Sequence, residues 1–336
     1  MRAFAIKLAI GLAGVWLLVH YGSIDLAAIR SAIVTPWPFL LAFLCIVLTM
    51  PLSALRWHLL LVRLALPLSY RKVLDITFIS QFFHNFLPGS YGGDLVRLAM
   101  AYRETSRSIN TIAMSMLVDR LSGLAALLLL GFSVESSLPQ AITTRFEWIA
   151  ALAAAAMAAA LIIAVLWGDA IAALMTRLPG KAGRILSSMA RDLTGAIRIY
   201  TASPMTALMA VLISVLQFSL IIGAMVIVGN ALQLQSLTIP GYAVAGVWSI
   251  IANAIPITPG GLGIGEATFG HLAALMVPAG SPVESYGTVY LVIRLLSFTT
   301  GALGLIPWLF YSRESRHLTL SLAKILPRRE RGAPER

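Results

Sequence analysis

Charged residues are scarce in this chain: they make up 12% of its 336 residues, with only 14 acidic side chains against 25 lysines and arginines. This scarcity, with 59% hydrophobic residues and a mean hydropathy of +0.86, excludes an ordinary soluble globular protein. Several apolar runs reach the roughly 20 residues that a helix needs to cross a bilayer. The sequence therefore predicts an all-α integral membrane protein.

The chain also lacks the usual marks of catalytic and metal sites. Its single cysteine, Cys45, excludes an intramolecular disulfide and a cysteine cluster. There is no Walker A sequence, no His-Glu-x-x-His and no Gly-x-Ser-x-Gly. We therefore expect no catalytic residue, no cofactor and no metal.

The net charge of +11 points to lipid rather than to nucleic acid, because most basic residues lie between apolar runs. Four of them, Arg56, Arg63, Arg71 and Lys72, are interpreted as a loop before the first motif region. The positive-inside rule then predicts a multi-pass protein of the cell inner membrane with both termini in the cytoplasm.

One pattern, Asn-x-x-Pro-x-x-x-Gly-Gly, occurs in both halves of the chain, and the two copies are separated by half of its 336 residues. Its members are Asn85, Pro88, Gly92 and Gly93 in the first half and Asn253, Pro256, Gly260 and Gly261 in the second. Proline and glycine break helices, and broken backbone at membrane depth is tolerated only where it is buried in protein or lines a cavity. The repeat predicts a transporter core built by duplication.

The predicted architecture has six spanning helices and two re-entrant helical hairpins. The spans are Phe4–His20, Phe39–Leu55, Thr111–Phe132, Phe146–Trp167, Ala207–Gly229 and Tyr286–Tyr311; the hairpins are Val73–Tyr102 and Gly241–Val277. An odd number of crossings separates the two copies, so the repeat is inverted. Residues 1–312 form one domain, with repeat 1 at 36–132, an amphipathic cytoplasmic linker at 168–203 and repeat 2 at 204–311. A basic tail follows at 313–336.

Two arginines lie deep within predicted spans. Arg120 and Arg294 are each eight or nine residues inside their helices, near the middle of the membrane. A charge there faces a partner or a wet cavity. Two roles stay open: binding an anionic phosphate headgroup, or donating to the carbonyl groups of the broken hairpins.

The hairpin tips offer a second device for anions. Half-helices beginning near Asp94 and Glu266 would direct free backbone N–H groups towards the break. Both acids also suit a capping role, and with Asp119 they are candidates for proton coupling. Arg97, one turn after Asp94, is expected to pair with it.

The two motif asparagines are expected to form hydrogen bonds across each break. The predicted substrate-binding residues are Arg120, Arg294, Asn85, Gly92, Gly93, Asp94, Arg97, Asn253, Gly260, Gly261 and Glu266.

The sequence FFHNFLPGSYGGDLVR at 82–97 resembles the first signature of the lysylphosphatidylglycerol synthase transmembrane region, or flippase-like domain, family. PITPGGLGIGEATF at 256–269 resembles its second signature, and LVDRL at 117–121 resembles the helix that follows the first. The best-known members carry a soluble aminoacyl-transferase domain as well and move the modified lipid between leaflets. No such domain follows Tyr311 here, so the resemblance implies a stand-alone lipid flippase.

Three other functions remain open: an integral lipid-modifying transferase using Asp94, Asp119 or Glu266 as a base, a transporter of a small soluble anion, and a non-transporting partner of a membrane glycosyltransferase. The expected partners are a lipid substrate and the bilayer, with a separate lipid-modifying enzyme and a second copy of the chain as further candidates.

Overall fold

A computed structural model describes residues 36–66, 68–86, 92–105, 108–135, 202–234, 236–254, 261–278 and 284–311, with short stretches and single residues elsewhere. The helices are α1 Trp37–Arg63, α2 Tyr70–Phe86, α3 Gly92–Thr105, α4 Ile109–Glu135, α5 Pro204–Ala231, α6 Ile239–Asn253, α7 Ile264–Met276, α8 Gly287–Ala302 and α9 Leu305–Phe310. All the regular elements in these ranges are helices, which confirms the predicted all-α class.

Four of the predicted spans correspond to helices long and apolar enough to cross a membrane: α1, α4, α5 and the α8–α9 segment Gly287–Phe310. The predicted spans Phe4–His20 and Phe146–Trp167, the linker 168–203 and the tail lie outside the ranges that the structure describes, apart from short stretches and single residues. One boundary was wrong: α1 continues to Arg63 instead of ending at Leu55. All four residues of the predicted loop therefore lie in helices, Arg56 and Arg63 in α1 and Arg71 and Lys72 in α2. The Arg56 side chain is buried.

Helices α1 and α5 form the centre of the fold and run antiparallel. Near one end of the pair Leu60 and Ala210 share a core cluster, and towards the middle Arg56 Nη1 donates to Ser214 Oγ at 2.7 Å. Near the other end, Ala42 and Val228 belong to one cluster. Residue numbers therefore rise along α1 as they fall along α5. Because α1 and α5 begin the two repeats, the repeats have opposite directions.

The other helix contacts of repeat 1 also have counterparts in repeat 2. Helix α2 packs on α3 as α6 packs on α7, and α3 contacts α4 as α7 contacts α8. Between the repeats, α4 contacts α5 and α6, while α8 contacts the corresponding helices α1 and α2. These matched contacts indicate a pseudo-two-fold relation between two inverted repeats.

Each hairpin begins and ends at the same edge of the fold. In repeat 1, Lys72 at the start of α2 pairs with Glu104 at the end of α3. In repeat 2, Ser236 before α6 donates to Glu284 after α7 at 3.1 Å. The hairpin helices have 13 to 17 residues, or about 20–26 Å, which is shorter than a ~30 Å hydrocarbon core. This is the geometry of re-entrant hairpins.

The base of the first hairpin is also tied to the end of α9. Tyr311 Oη donates to Glu104 Oε1 at 2.6 Å. Burial raises the pKa of the Glu104 carboxyl, but hydrogen bonds from Lys72 and Tyr311 outweigh that effect and hold the pKa below its ordinary value. This contact joins the two ends of the first hairpin to the end of repeat 2.

A glycine allows the α8–α9 corner to lie directly against α2. A Cβ at Gly304 would be 2.0 Å from the backbone oxygen of Phe78, which cannot move as a side-chain tip can. Gly223, in the interior of α5, has no atom within 4 Å of such a Cβ. Gly223 is therefore a suitable control for the substitution of Gly304 by alanine.

We expect Gly304→Ala to lower the free energy of unfolding by about 1–3 kcal/mol because the added carbon overpacks the α2 contact. Gly223→Ala should be neutral or stabilising by up to about 1 kcal/mol, since alanine favours a helix. Thermal unfolding in detergent measures both. Equal effects of the two substitutions would contradict the close α2 contact.

Candidate functional site

The first hairpin exposes an ion pair at the middle of a membrane-spanning helix. Asp94 lies in the first turn of α3, and Arg120 is the twelfth residue of the 27-residue helix α4. Arg120 Nη2 donates to Asp94 Oδ2, while the Arg120 and Asp94 side chains remain 59% and 28% exposed. A charge exposed at mid-span needs a wet cavity or a polar ligand beside it.

The second hairpin has a corresponding pair that is fully enclosed. Arg294 in α8 donates from Nε to Glu266 Oε1 at 2.5 Å and from Nη2 to Glu266 Oε2 at 3.1 Å. Their side chains are 9% and 0% exposed. Glu266 also accepts the backbone N–H of Gly263 at 2.9 Å, so it caps α7 as well as binding the arginine.

Arg294 also closes the break between α6 and α7. Its Nη2 donates to the Gly261 carbonyl and to Asn253 Oδ1, each at 3.0 Å. Gly261 has a φ of +68°, and a Cβ there would be 2.0 Å from Asn253 Oδ1. The expected donation of arginine to hairpin carbonyl groups is confirmed for Arg294.

The two ion pairs occupy equivalent positions in the two repeats but differ in their exposure. Each joins the first turn of the second hairpin helix to the helix that follows it. Acid and arginine are separated along the chain by 26 positions in repeat 1 and by 28 in repeat 2. The pair in repeat 1 is open and the pair in repeat 2 is closed.

An inner polar network lies beside the open pair. The carboxylate of Asp119 is buried between two arginines: Arg56 Nε donates to Oδ1 at 2.7 Å and Arg97 Nη1 to Oδ2 at 3.1 Å. The expected pairing of Arg97 with Asp94 is therefore wrong. The helical turn directs Arg97 inward to Asp119, whereas Asp94 reaches Arg120.

Aromatic and hydroxyl groups complete this network. The Arg97 guanidinium lies 3.8 Å from the centre of the Trp57 ring, a cation–π contact. Trp57 Nε1 donates to Ser115 Oγ at 3.1 Å. Trp57 and Ser115 were not predicted from the sequence, and Trp57 was missed because α1 was expected to end at Leu55. The buried positions 42, 46, 49, 56 and 60 of α1 follow helical spacing. The signal that was missed is that this spacing continues beyond Leu55.

The two motif asparagines have different partners. Asn253 accepts from Arg294 of its own repeat, close to the break, whereas Asn85 Nδ2 donates to the Ser297 carbonyl in α8 of the other repeat at 3.1 Å. The absence of a Cβ at Gly301 lets α8 pack against Asn85. The expected hydrogen bond of Asn85 across its own break stays a prediction, because residues 87–91 lie outside the described ranges. Asn85 joins the first hairpin to repeat 2.

The structure places both motif glycines of the first repeat at the start of α3. Gly92 begins α3, and a Cβ at Gly93 would be 2.5 Å from the Ser80 carbonyl, so Gly93 allows α2 and α3 to pack closely. The tip residues 87–91, which include Pro88, and the second-motif residues Pro256 and Gly260 lie outside the described ranges.

A cavity of about 170 Å³ lies between the repeats. It is lined by Ile46, Thr49, Met50, Gln81, Gln217, Ile221, Ser297 and Thr300, from α1, α2, α5 and α8. Its polar groups are neutral amides and hydroxyls. Within the described part of the chain, no cluster of three or more histidine, cysteine or acidic side chains is placed to hold a metal ion.

Comparison with known proteins identifies a family. The family model described as the lysylphosphatidylglycerol synthase TM region matches residues 4–304. No curated protein and no solved structure matches the chain.

The two ion pairs should differ sharply in their effect on stability. Arg294→Gln leaves Glu266 buried and unbalanced, which we expect to cost about 3–5 kcal/mol. Arg120→Gln removes a half-exposed pair and should cost no more than about 1 kcal/mol. Thermal unfolding of the purified protein compares them.

A double variant, Glu266→Leu with Arg294→Met, provides the control. It should recover much of the stability lost in Arg294→Gln, because no buried charge remains. If Arg120→Gln were as destabilising as Arg294→Gln, this would contradict an exposed Arg120–Asp94 pair beside an enclosed Arg294–Glu266 pair.

Proposed function

We propose that this chain, which belongs to the lysylphosphatidylglycerol synthase TM region family, moves a lipid with an anionic, phosphate-containing headgroup between the leaflets of the membrane. The observation that carries the proposal is the open Arg120–Asp94 pair at mid-span, opposed by the closed Arg294–Glu266 pair of the inverted repeat. Family membership supports a multi-pass membrane protein of lipid metabolism or transport.

The headgroup enters at the open pair. A phosphate oxygen displaces Asp94 from Arg120, whose planar guanidinium can bind two oxygens at once. Asp94 stands in the first turn of α3, where the free N–H groups and the helix dipole favour an anion. The acyl or prenyl tails stay in the lipid while the headgroup moves through protein.

Inversion of the repeats supplies the second half of the cycle. In a pseudo-symmetric protein, the closed state of repeat 2 can be adopted by repeat 1 while repeat 2 opens, which exposes the equivalent pair to the other leaflet. Asn85, hydrogen-bonded to Ser297, is placed to couple the first hairpin to α8. Both termini lie in the cytoplasm in this proposal, because the basic loops then share one side of the inner membrane.

Leaflet exchange in proteoliposomes tests the proposal, using labelled anionic and zwitterionic lipids. Arg120→Ala should lose exchange of the anionic lipid by about 10-fold or more, the effect of removing a charge-assisted contact. Arg63→Ala, at the exposed end of α1, is the matched control and should keep the wild-type rate.

Two results would overturn the proposal. One is an absence of exchange of every lipid tried by the folded wild-type protein. The other is a change in lipid mass during the time course, which would identify a lipid-modifying transferase instead.

Proton coupling is a separate element of the proposal. Asp94, Asp119 and Glu266 each bind an arginine, so uptake of a proton by Asp94 would release Arg120 for the headgroup. If coupling operates, Asp94→Asn should abolish the response of exchange to an imposed pH gradient. Exchange in the wild type that is indifferent to the gradient would remove coupling from the mechanism.

A further inference from the structure

The inner network has no polar counterpart at the pseudo-symmetric positions of the fold. The two halves of the chain can be aligned helix by helix. Matching Asn85 with Asn253 aligns α1 with α5, matching Asp94 with Glu266 aligns α3 with α7, and matching Arg120 with Arg294 aligns α4 with α8. In this alignment each network residue has an apolar counterpart. The pairs are Arg56 and Ala224, Trp57 and Met225, Arg97 and Phe269, Ser115 and Val289, Asp119 and Ile293, and Ser214 and Ile46. All six counterparts lie in one apolar core cluster. The packing positions that are polar around Asp119 are apolar around its counterpart Ile293.

The fold therefore does not require these charges. Buried ion clusters can be replaced by apolar side chains of similar volume without loss of stability, and the second repeat carries such a set. A buried network kept without a packing requirement suggests a role in binding.

One edge of Arg97 has no partner among the described residues. Its Nη1 donates to Asp119 and its face covers Trp57. The Nε and Nη2 groups, which form the side edge of the guanidinium, are buried and make no hydrogen bond within the described protein. Leaving two such donors buried and unpaired is costly, because their lost hydration is not replaced.

The charges of the network do not balance. Arg56 and Arg97 are positive, and among the described residues Asp119 is the one acid that they both bind. The network therefore has an excess of one positive charge, which a single monoanion would neutralise. Nε and Nη2 point along one edge and match two oxygens of one phosphate.

We propose that this edge of Arg97 is an inner binding subsite for the phosphodiester monoanion of a lipid headgroup, present in the first repeat only. It rests on the proposed lipid transport and names the group recognised. Asp94 and Arg97 lie one turn apart on α3, and Asp119 and Arg120 are adjacent on α4. In this proposal the headgroup passes from Arg120 to Arg97.

Calorimetric titration of the full chain in detergent tests the subsite. The probes are dioctanoylphosphatidylglycerol, dioctanoylglycerol, which lacks the phosphate, and inorganic phosphate. The phosphatidylglycerol should bind more tightly than either of the others. Arg97→Gln should weaken it about 10- to 100-fold, and so should Arg97→Lys, which keeps the charge but loses the planar edge.

Two further variants control for folding and charge. The triple variant Arg56→Ala, Arg97→Phe, Asp119→Ile introduces into the first repeat the side chains found at the matching positions of the second. It should unfold at or above the wild-type temperature and lose binding. Arg103→Gln removes a positive charge from the same helix α3 and should bind like the wild type.

Three results would overturn the subsite: unchanged binding of phosphatidylglycerol by Arg97→Lys, unchanged binding by the triple variant, or inorganic phosphate binding as tightly as the lipid. Its failure is distinguishable from failure of the transport proposal. Leaflet exchange with unchanged binding by the Arg97 variants rejects the subsite alone, whereas Arg97-dependent binding without exchange rejects transport alone.

Discussion

Arginine bound to a carboxylate at a broken hairpin is the interaction on which the rest of the structure depends. Proline and glycine leave backbone groups without helical partners, and the membrane offers no water to replace them. Arg294 meets this need in repeat 2, since it binds Glu266, Asn253 and the Gly261 carbonyl together. The charge and the broken backbone thus stabilise one another.

In the proposed transport, inversion of the repeats gives this structural interaction a functional role. The same pair occurs in repeat 1 as Arg120 and Asp94, but there it is exposed instead of enclosed. Antiparallel packing of α1 on α5 makes the two environments exchangeable in principle, because the helix contacts of one repeat have counterparts in the other. One scaffold therefore holds an open and a closed form of one site.

Much of the fold follows from apolar runs and from a motif that repeats, but the networks between helices do not. The deep positions of Arg120 and Arg294 and the capping role of Glu266 were predictable, since they depend on local spacing. Arg56 was misplaced because a charged residue after an apolar run resembles a helix end, and its partner Asp119 is distant in the sequence. The pairing of Arg97 depends on which face of α3 meets α4, and that is decided by tertiary packing.

The most direct test is the reactivity of engineered cysteines towards a charged, membrane-impermeant thiol reagent, in a Cys45→Ala background that removes the single native thiol. Arg120 and Leu48 are both twelfth in 27-residue helices and are 59% and 52% exposed. The account predicts that Arg120→Cys reacts rapidly, because it faces an aqueous headgroup site, and that Leu48→Cys does not, because it faces lipid. Equal, slow reaction at both positions would contradict an open site at mid-membrane.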